Sequence, residues 1–258
     1  MTAATGYFVT GSSWLHRRNP LTKLMALGLV LLSAFLLPPL VLPILAIAIS
    51  LAAWSAGLLR PLLRAMRIPA VLLFSIVVVN SLFFPAAKDV LVSLGPFAIT
   101  REGLSFGLIS AGRVLVAFLA SVTFLFTTLA DDMLETLISR GASHRIAFVV
   151  LSAVQLVPRM RTRAGAILEA QQARGLSLEG SFVRRIRSLV PLIGPVLLGS
   201  LVDARERTFA LEARGFGARP GRTAYRTVAD PRIDRWLRLL IVVAAVAVVL
   251  VAFGVVPR

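Results

Sequence analysis

The chain has 258 residues, 57% hydrophobic and only 16% charged, with a mean hydropathy of +0.86, more apolar than an ordinary soluble domain. It has no cysteine, which excludes disulfides, thiolate metal sites and cysteine nucleophiles. A formal charge of +16 would suggest nucleic acid in a soluble chain, but in a membrane protein the first question is which side of the bilayer holds the cations.

Residues 1–14 read as a mildly polar leader without the basic start of a signal peptide. The basic segment His16-Arg17-Arg18-Asn19-Pro20-Leu21-Thr22-Lys23-Leu24 leads into a first apolar run, 21–37. Pro38-Pro39 stops that run, and a second, 40–59, makes a tight hairpin with it. Arg60, Arg64 and Arg67 read as a short basic loop before a third span, 68–84, in which Asn80 is strongly polar. A loop holding Pro85, Lys88, Asp89, Gly95 and Pro96 precedes the fourth span, 104–129, and the fifth is 236–256. A span needs about 20 helical residues, somewhat fewer with snorkelling flanks.

Residues 131–235 are different material, with 17 arginines but also apolar stripes. Met133, Leu134, Leu137 and Ile138 share one face of a short helix that closes at Arg140-Gly141. Ile146, Val149, Val150, Ala153 and Val157 form a stripe ending at Pro158, and Leu197, Leu201, Ala204, Thr208 and Leu211 form another. The runs 146–157 and 189–202 are short for spans, and prolines 191 and 195 weaken the second. The region reads as amphipathic helices at the cytoplasmic face, with an extra membrane hairpin as the alternative. With the N-terminus inside, the outer segments carry only Lys88, Arg101 and Arg258, so the positive-inside bias accounts for the basicity and nucleic acid is not needed.

One phrase in this region occurs twice. Glu169-Ala170-Gln171-Gln172-Ala173-Arg174-Gly175 is followed forty positions later by Leu211-Glu212-Ala213-Arg214-Gly215. Each copy reads as a helix whose last turn carries an arginine and whose glycine takes the left-handed stop. A single copy is an ordinary cap, since a cation suits the negative end of a helix dipole. Two copies offer two arginine-bearing tips and imply a partner with two similar sockets.

Catalytic chemistry is missing from the pattern. Neither Lys23 nor Lys88 follows a Gly-x-x-x-x-Gly, so there is no phosphate-binding P-loop, and His16 and His144 lack metal-ligand spacing. Carboxylates such as Asp203, Glu206 and Glu212 are interleaved with arginines as solvated pairs. The spans hold no carboxylate beyond Glu102 at an edge, so any active transport draws its energy from another subunit. Arg113 lies about nine residues, roughly 14 Å, into the fourth span. It snorkels, bonds to a neighbouring span with Asn80 as partner, or acts directly in function.

On these residues the chain resembles the transmembrane T component (EcfT/CbiQ-like) of energy-coupling factor (ECF) ABC transporters, importers of vitamins and transition metals. The opening basic segment is similar to the family's His-Arg-Leu-Asp-Pro-Arg-Thr-Lys-Leu, with Asn19 and Leu21 departing from it. Arg113 falls where the family's fourth span often carries arginine, and Thr127-Thr128 matches the threonine pair closing that span. The two Ala-Arg-Gly motifs match the ends of the family's two cytoplasmic coupling helices.

The resemblance implies an all-α membrane protein of about five transmembrane helices plus a cytoplasmic coupling domain. The expected division is a four-helix membrane domain, 1–130, a coupling domain, 131–235, and a last span, 236–258. It implies a cell-membrane, multi-pass, non-catalytic subunit with its N-terminus cytoplasmic. The implied partners are two ABC ATPase subunits, which carry the ATP and magnesium, and a small substrate-binding membrane subunit, the S component. Ala173, Arg174, Gly175, Ala213, Arg214 and Gly215 would engage the ATPases. Two other readings stay open: an assembly protein whose basic region binds anionic lipid, and a membrane-embedded lipid-processing enzyme using Asp131, Asp132 and Glu135.

Overall fold

The computed structural model describes residues 8–9, 11, 13–84, 90–94, 97–176, 181–216 and 228–254. Its elements in order are α1 (Pro20–Leu36), α2 (Val41–Ser55), α3 (Leu59–Ala65), α4 (Arg67–Phe83), β1 (Val90–Leu94), β2 (Phe97–Thr100), α5 (Arg101–Thr127), α6 (Ala130–Ile138), α7 (His144–Ala173), α8 (Phe182–Ala213) and α9 (Arg232–Ala252). The chain divides into two compact units, residues 1–137 with 228–258, and residues 138–227.

In the first unit α5 is the central helix and touches α1, α2, α3 and α4. Ala53, Leu58, Leu62, Leu119 and Phe126 form one buried cluster, and Ala34, Leu42 and Val116 a second. Small residues set the α4–α5 spacing. A Cβ on Gly103 would stand 2.5 Å from the Asn80 carbonyl oxygen, and one on Gly107 3.1 Å from the Val77 carbonyl oxygen. The expected hairpin turns at Pro38-Pro39, whose carbonyls accept the amides of Val41 and Leu42.

Apolar side chains point outward. Ile44, Ile47 and Leu51 on α2, Ile68, Val71 and Phe74 on α4, and Leu240, Val243 and Val246 on α9 are all exposed. In water such a surface would be strongly unfavourable, whereas against lipid it is ordinary. The molecule is an all-α membrane protein.

The five expected spans do not come out alike. α5 and α9 are each long and apolar enough to cross a bilayer, and α3 with α4 passes the same test as a pair bent by 53°. α1 and α2 are shorter apolar helices of 17 and 15 residues. At 1.5 Å per residue these rise about 25 and 22 Å, less than a hydrocarbon core of about 30 Å.

Two further local readings change. The basic loop at Arg60, Arg64 and Arg67 is helix α3 and the start of α4, because Leu58 and Leu62 bury one side of that turn. Within the expected loop before α5, β1 and β2 pair antiparallel, Leu94 with Phe97 and Val90 with Thr100, while residues 85–89 and 95–96 lie outside the described residues. The Thr100 hydroxyl then caps α5 by accepting from the Gly103 amide at 3.2 Å.

Helices α7 and α8 make up the described core of the second unit and run antiparallel. Each is longer than its apolar stripe, at 30 and 32 residues. α7 continues through Pro158, and α8 through positions 191 and 195. A proline inside a helix removes one hydrogen bond and crowds the preceding turn, and beyond it the Ala- and Gln-rich sequence from 164 to 173 favours helix up to the stop.

Candidate functional site

The two Ala-Arg-Gly copies have the same geometry. Arg174 closes α7 as its C-cap residue, and Gly175 follows at φ +92°. The Gly175 amide donates to the Gln172 carbonyl at 3.0 Å, and the Leu176 amide to the Gln171 carbonyl at 3.0 Å. Arg214 closes α8 and Gly215 follows at φ +71°. The Gly215 amide donates to Glu212 and the Phe216 amide to Leu211, both at 2.9 Å. This pair of reverse bonds around a left-handed glycine is the Schellman stop, which satisfies two orphaned carbonyls and turns the chain sharply away.

The sequence folds this way because only glycine occupies that region without strain. No atom lies within 4 Å of where a Cβ on Gly175 would be, so the cost of replacing it comes from the backbone alone. Gly175→Ala is expected to loosen the stop by about 1–2 kcal/mol, read as faster hydrogen exchange at the amides of residues 175 and 176.

Ala173, Arg174 and Gly175 are all exposed, as are Ala213, Arg214 and Gly215. Neither guanidinium is ion-paired among the described residues. Each tip therefore presents a free arginine flanked by residues small enough for another surface to approach closely.

Among the described residues, an ion pair links α7 to α8 and a ring contact links α7 to the residue just past the second stop. The Arg163 guanidinium bridges to the Asp203 carboxylate, Nη2 donating to Oδ1 at 2.9 Å and Nη1 lying 2.7 Å from Oδ2. That hydrogen bond holds the Asp203 carboxyl below the usual carboxylate range and raises Arg163 above its own. The Phe216 ring packs on Phe148 with centroids 4.8 Å apart and planes at 50°. The second tip is thus braced against the opposite helix by its own stop residue. Sequence reasoning paired these charges locally along each helix, but Arg163 and Asp203 are forty positions apart and meet only because the helices run antiparallel.

The proposed bond between Arg113 and Asn80 is absent. The Asn80 amide donates to the Ile76 carbonyl of its own helix at 2.7 Å, and Arg113 Nε is buried without a hydrogen-bond partner. Register explains this: Asn80 lies level with Gly103 and Gly107 of α5, and Arg113 is six residues, about 9 Å, further along. Asp131 and Asp132 sit in the first turn of α6, where carboxylates complement the helix dipole.

One polar cluster was missed. Asp234, in the first turn of α9, is 0% exposed. Its Oδ2 accepts the Asn19 backbone amide at 3.0 Å, and its Oδ1 the Arg18 guanidinium at 3.4 Å. Asn19 also caps α1 by accepting from the Leu21 amide, and its own amide group donates to the Ala229 carbonyl. Lys23 is buried and donates to the Thr127 carbonyl at the end of α5 at 2.7 Å. Arg238 donates to both oxygens of Asp230 at 2.8 and 2.9 Å. The opening basic segment is therefore the knot joining the first helix to the last, with the buried carboxylate supplied from 215 positions away.

Comparison with known proteins matches the family described as cobalt transport protein, CbiQ, over residues 11–225. The chain is 34% identical over 233 residues to the energy-coupling factor transporter transmembrane protein EcfT of Heliobacterium modesticaldum, covering 86% of each chain. It is 31% identical over 234 residues to the EcfT of Bacillus selenitireducens, again with 86% of each covered. It is also 32% identical over 250 residues to a protein of Bifidobacterium longum provisionally named an ABC transporter ATP-binding protein, matching 93% of this chain but 31% of that one. With the family matched across 215 positions and both transmembrane relatives matched over 86% of each chain, the chain belongs to the CbiQ/EcfT family of energy-coupling factor transporter transmembrane proteins.

Proposed function

We propose that this chain is the non-catalytic coupling subunit of an ATP-driven ECF-type importer. In this reading it passes motion from two ABC ATPase subunits to a separate substrate-binding membrane subunit. The observation that carries the reading is the pair of identically capped, exposed, unpaired arginines, Arg174 and Arg214. Each guanidinium would enter a groove of one ATPase and make charge-assisted hydrogen bonds to carboxylate or carbonyl groups there. Ala173 and Ala213 keep the approach close, and Gly175 and Gly215 turn the chain out of the groove. The arginine-rich unit 138–227 would lie on the cytoplasmic side, as would the N-terminus, in accord with the charge bias.

ATP and magnesium would be bound by the ATPases, and this chain would contribute no cofactor site. That a protein named for ATP binding contains a region similar to this chain, in under a third of its own length, supports pairing such a chain with an ATPase. The exposed apolar residues of the two helices, Ile146 and Val149 on α7 and Leu197, Leu198 and Leu201 on α8, would hold the S component, which selects a vitamin or a transition-metal ion. Closure of the ATPases on ATP would move the two tips together, and the Arg163–Asp203 and Phe148–Phe216 contacts would transmit that movement between α7 and α8. Copurification of the chain with its ATPases tests the reading. Two ATPase subunits per chain are expected, and a stoichiometry of one contradicts the two-socket arrangement.

A further inference from the structure

The three tryptophans of the chain lie at one end of the helices of the first unit. Trp14 precedes α1, Trp54 is in the last turn of α2 and Trp236 is near the start of α9. Hydrogen bonds place these points together: the Trp14 indole donates to Ser55 Oγ at 3.1 Å, and Asp234 accepts from Arg18 and Asn19. All three indoles are half exposed or more, at 50%, 65% and 67%. Indoles gathered at one level of an apolar bundle mark the boundary between hydrocarbon and headgroups.

At that level a cleft of about 480 Å³ opens between Trp14, Arg17, Arg18 and Pro231. Its walls are held in place. The Trp14 indole is anchored to Ser55, and Arg18 is anchored through one nitrogen to Asp234, which leaves its other donors available. Asp234 is completely buried and is not among the residues lining the cleft, so it orients Arg18 from behind while offsetting part of that guanidinium's charge. Arg17 is exposed and has no carboxylate partner among the described residues. Two guanidinium groups, an aromatic wall and an apolar proline at headgroup depth suit a phosphodiester that carries an acyl chain away along the helices.

We infer that this cleft binds the headgroup of an anionic phospholipid, with Arg17 and Arg18 on the phosphate and Trp14 against the glycerol backbone. The inference stands apart from ATPase coupling, since it uses none of the residues at the helix tips.

The test is native mass spectrometry of the full chain offered equimolar phosphatidylglycerol and phosphatidylcholine. Wild type is expected to retain phosphatidylglycerol preferentially. Arg17→Gln is expected to lower that preference about fivefold, the value of one cation facing an anionic lipid, while Arg17→Lys keeps most of it. Equal retention of the two lipids, or a preference unchanged in Arg17→Gln, overturns the inference. Displacement of the retained lipid by millimolar inorganic phosphate at constant ionic strength also overturns it, because the cleft would then be a site for free anions. An unchanged thermal unfolding profile for Arg17→Gln shows that the fold is intact.

Discussion

Exchanging both tip arginines for glutamate, Arg174→Glu with Arg214→Glu, is expected to abolish ATPase association and substrate uptake while the chain still inserts and folds. Both side chains are exposed and neither is ion-paired among the described residues, so the change removes no described internal contact. The caps survive because they are built from backbone groups and glycine. A hydrogen bond to a charged group contributes about 1.5–3 kcal/mol, so two lost bonds cost about 3–6 kcal/mol, and reversed charge adds repulsion. At 1.4 kcal/mol per tenfold, that amounts to a loss of about 100-fold to more than 10,000-fold in affinity. Each single variant is expected to retain partial association through the remaining tip. Copurification with the ATPases, alongside uptake by whole cells, reads the result. Normal uptake in the double variant is incompatible with the coupling role.

The second large effect is expected at the knot between α1 and α9. Asp234→Ala removes a fully buried carboxylate and leaves the buried Asn19 amide without its acceptor. An unsatisfied buried donor costs about 1–3 kcal/mol. Arg18 is 28% exposed and reaches water, which limits its share of the penalty. The sum is expected near 3 kcal/mol, seen as a lower unfolding midpoint in detergent and faster proteolysis at the 18–23 segment. Asp234→Asn keeps an acceptor for the Asn19 amide and is expected to recover about half the loss. If Asp234→Ala unfolds like wild type, the carboxylate has no structural role.

How much of this was legible in the sequence depended on whether the determining contacts were local. The turn between the first two apolar helices follows from Pro38-Pro39, a short-range signal, and α1 and α5 fall close to the apolar runs read for them. The two Ala-Arg-Gly stops were readable for the same reason, since a left-handed glycine after a helical run is decided within six residues. Contacts between distant positions were not readable. Nothing around Asp234 announces that Arg18 and Asn19 will close on it, and Arg163 carries no local mark of Asp203. Prolines misled in one direction. Pro158 ends an apolar stripe and prolines 191 and 195 weaken a span in the sequence reading, yet α7 and α8 run through these positions. Asn80 is one of the alternatives that polarity alone offers for Arg113, and the register of α4 against α5 separates the two.

Because the chain lacks cysteine, a single introduced thiol reports its own surroundings without background. Cysteines placed one at a time at Gln172 and Glu212, beside the two tips, can be tested with a membrane-impermeant maleimide on vesicles of either orientation. Labelling is expected only from the cytoplasmic side, at both positions, with strong protection at both when the ATPases are bound. Labelling from the outer side, or labelling indifferent to the ATPases, contradicts the coupling role.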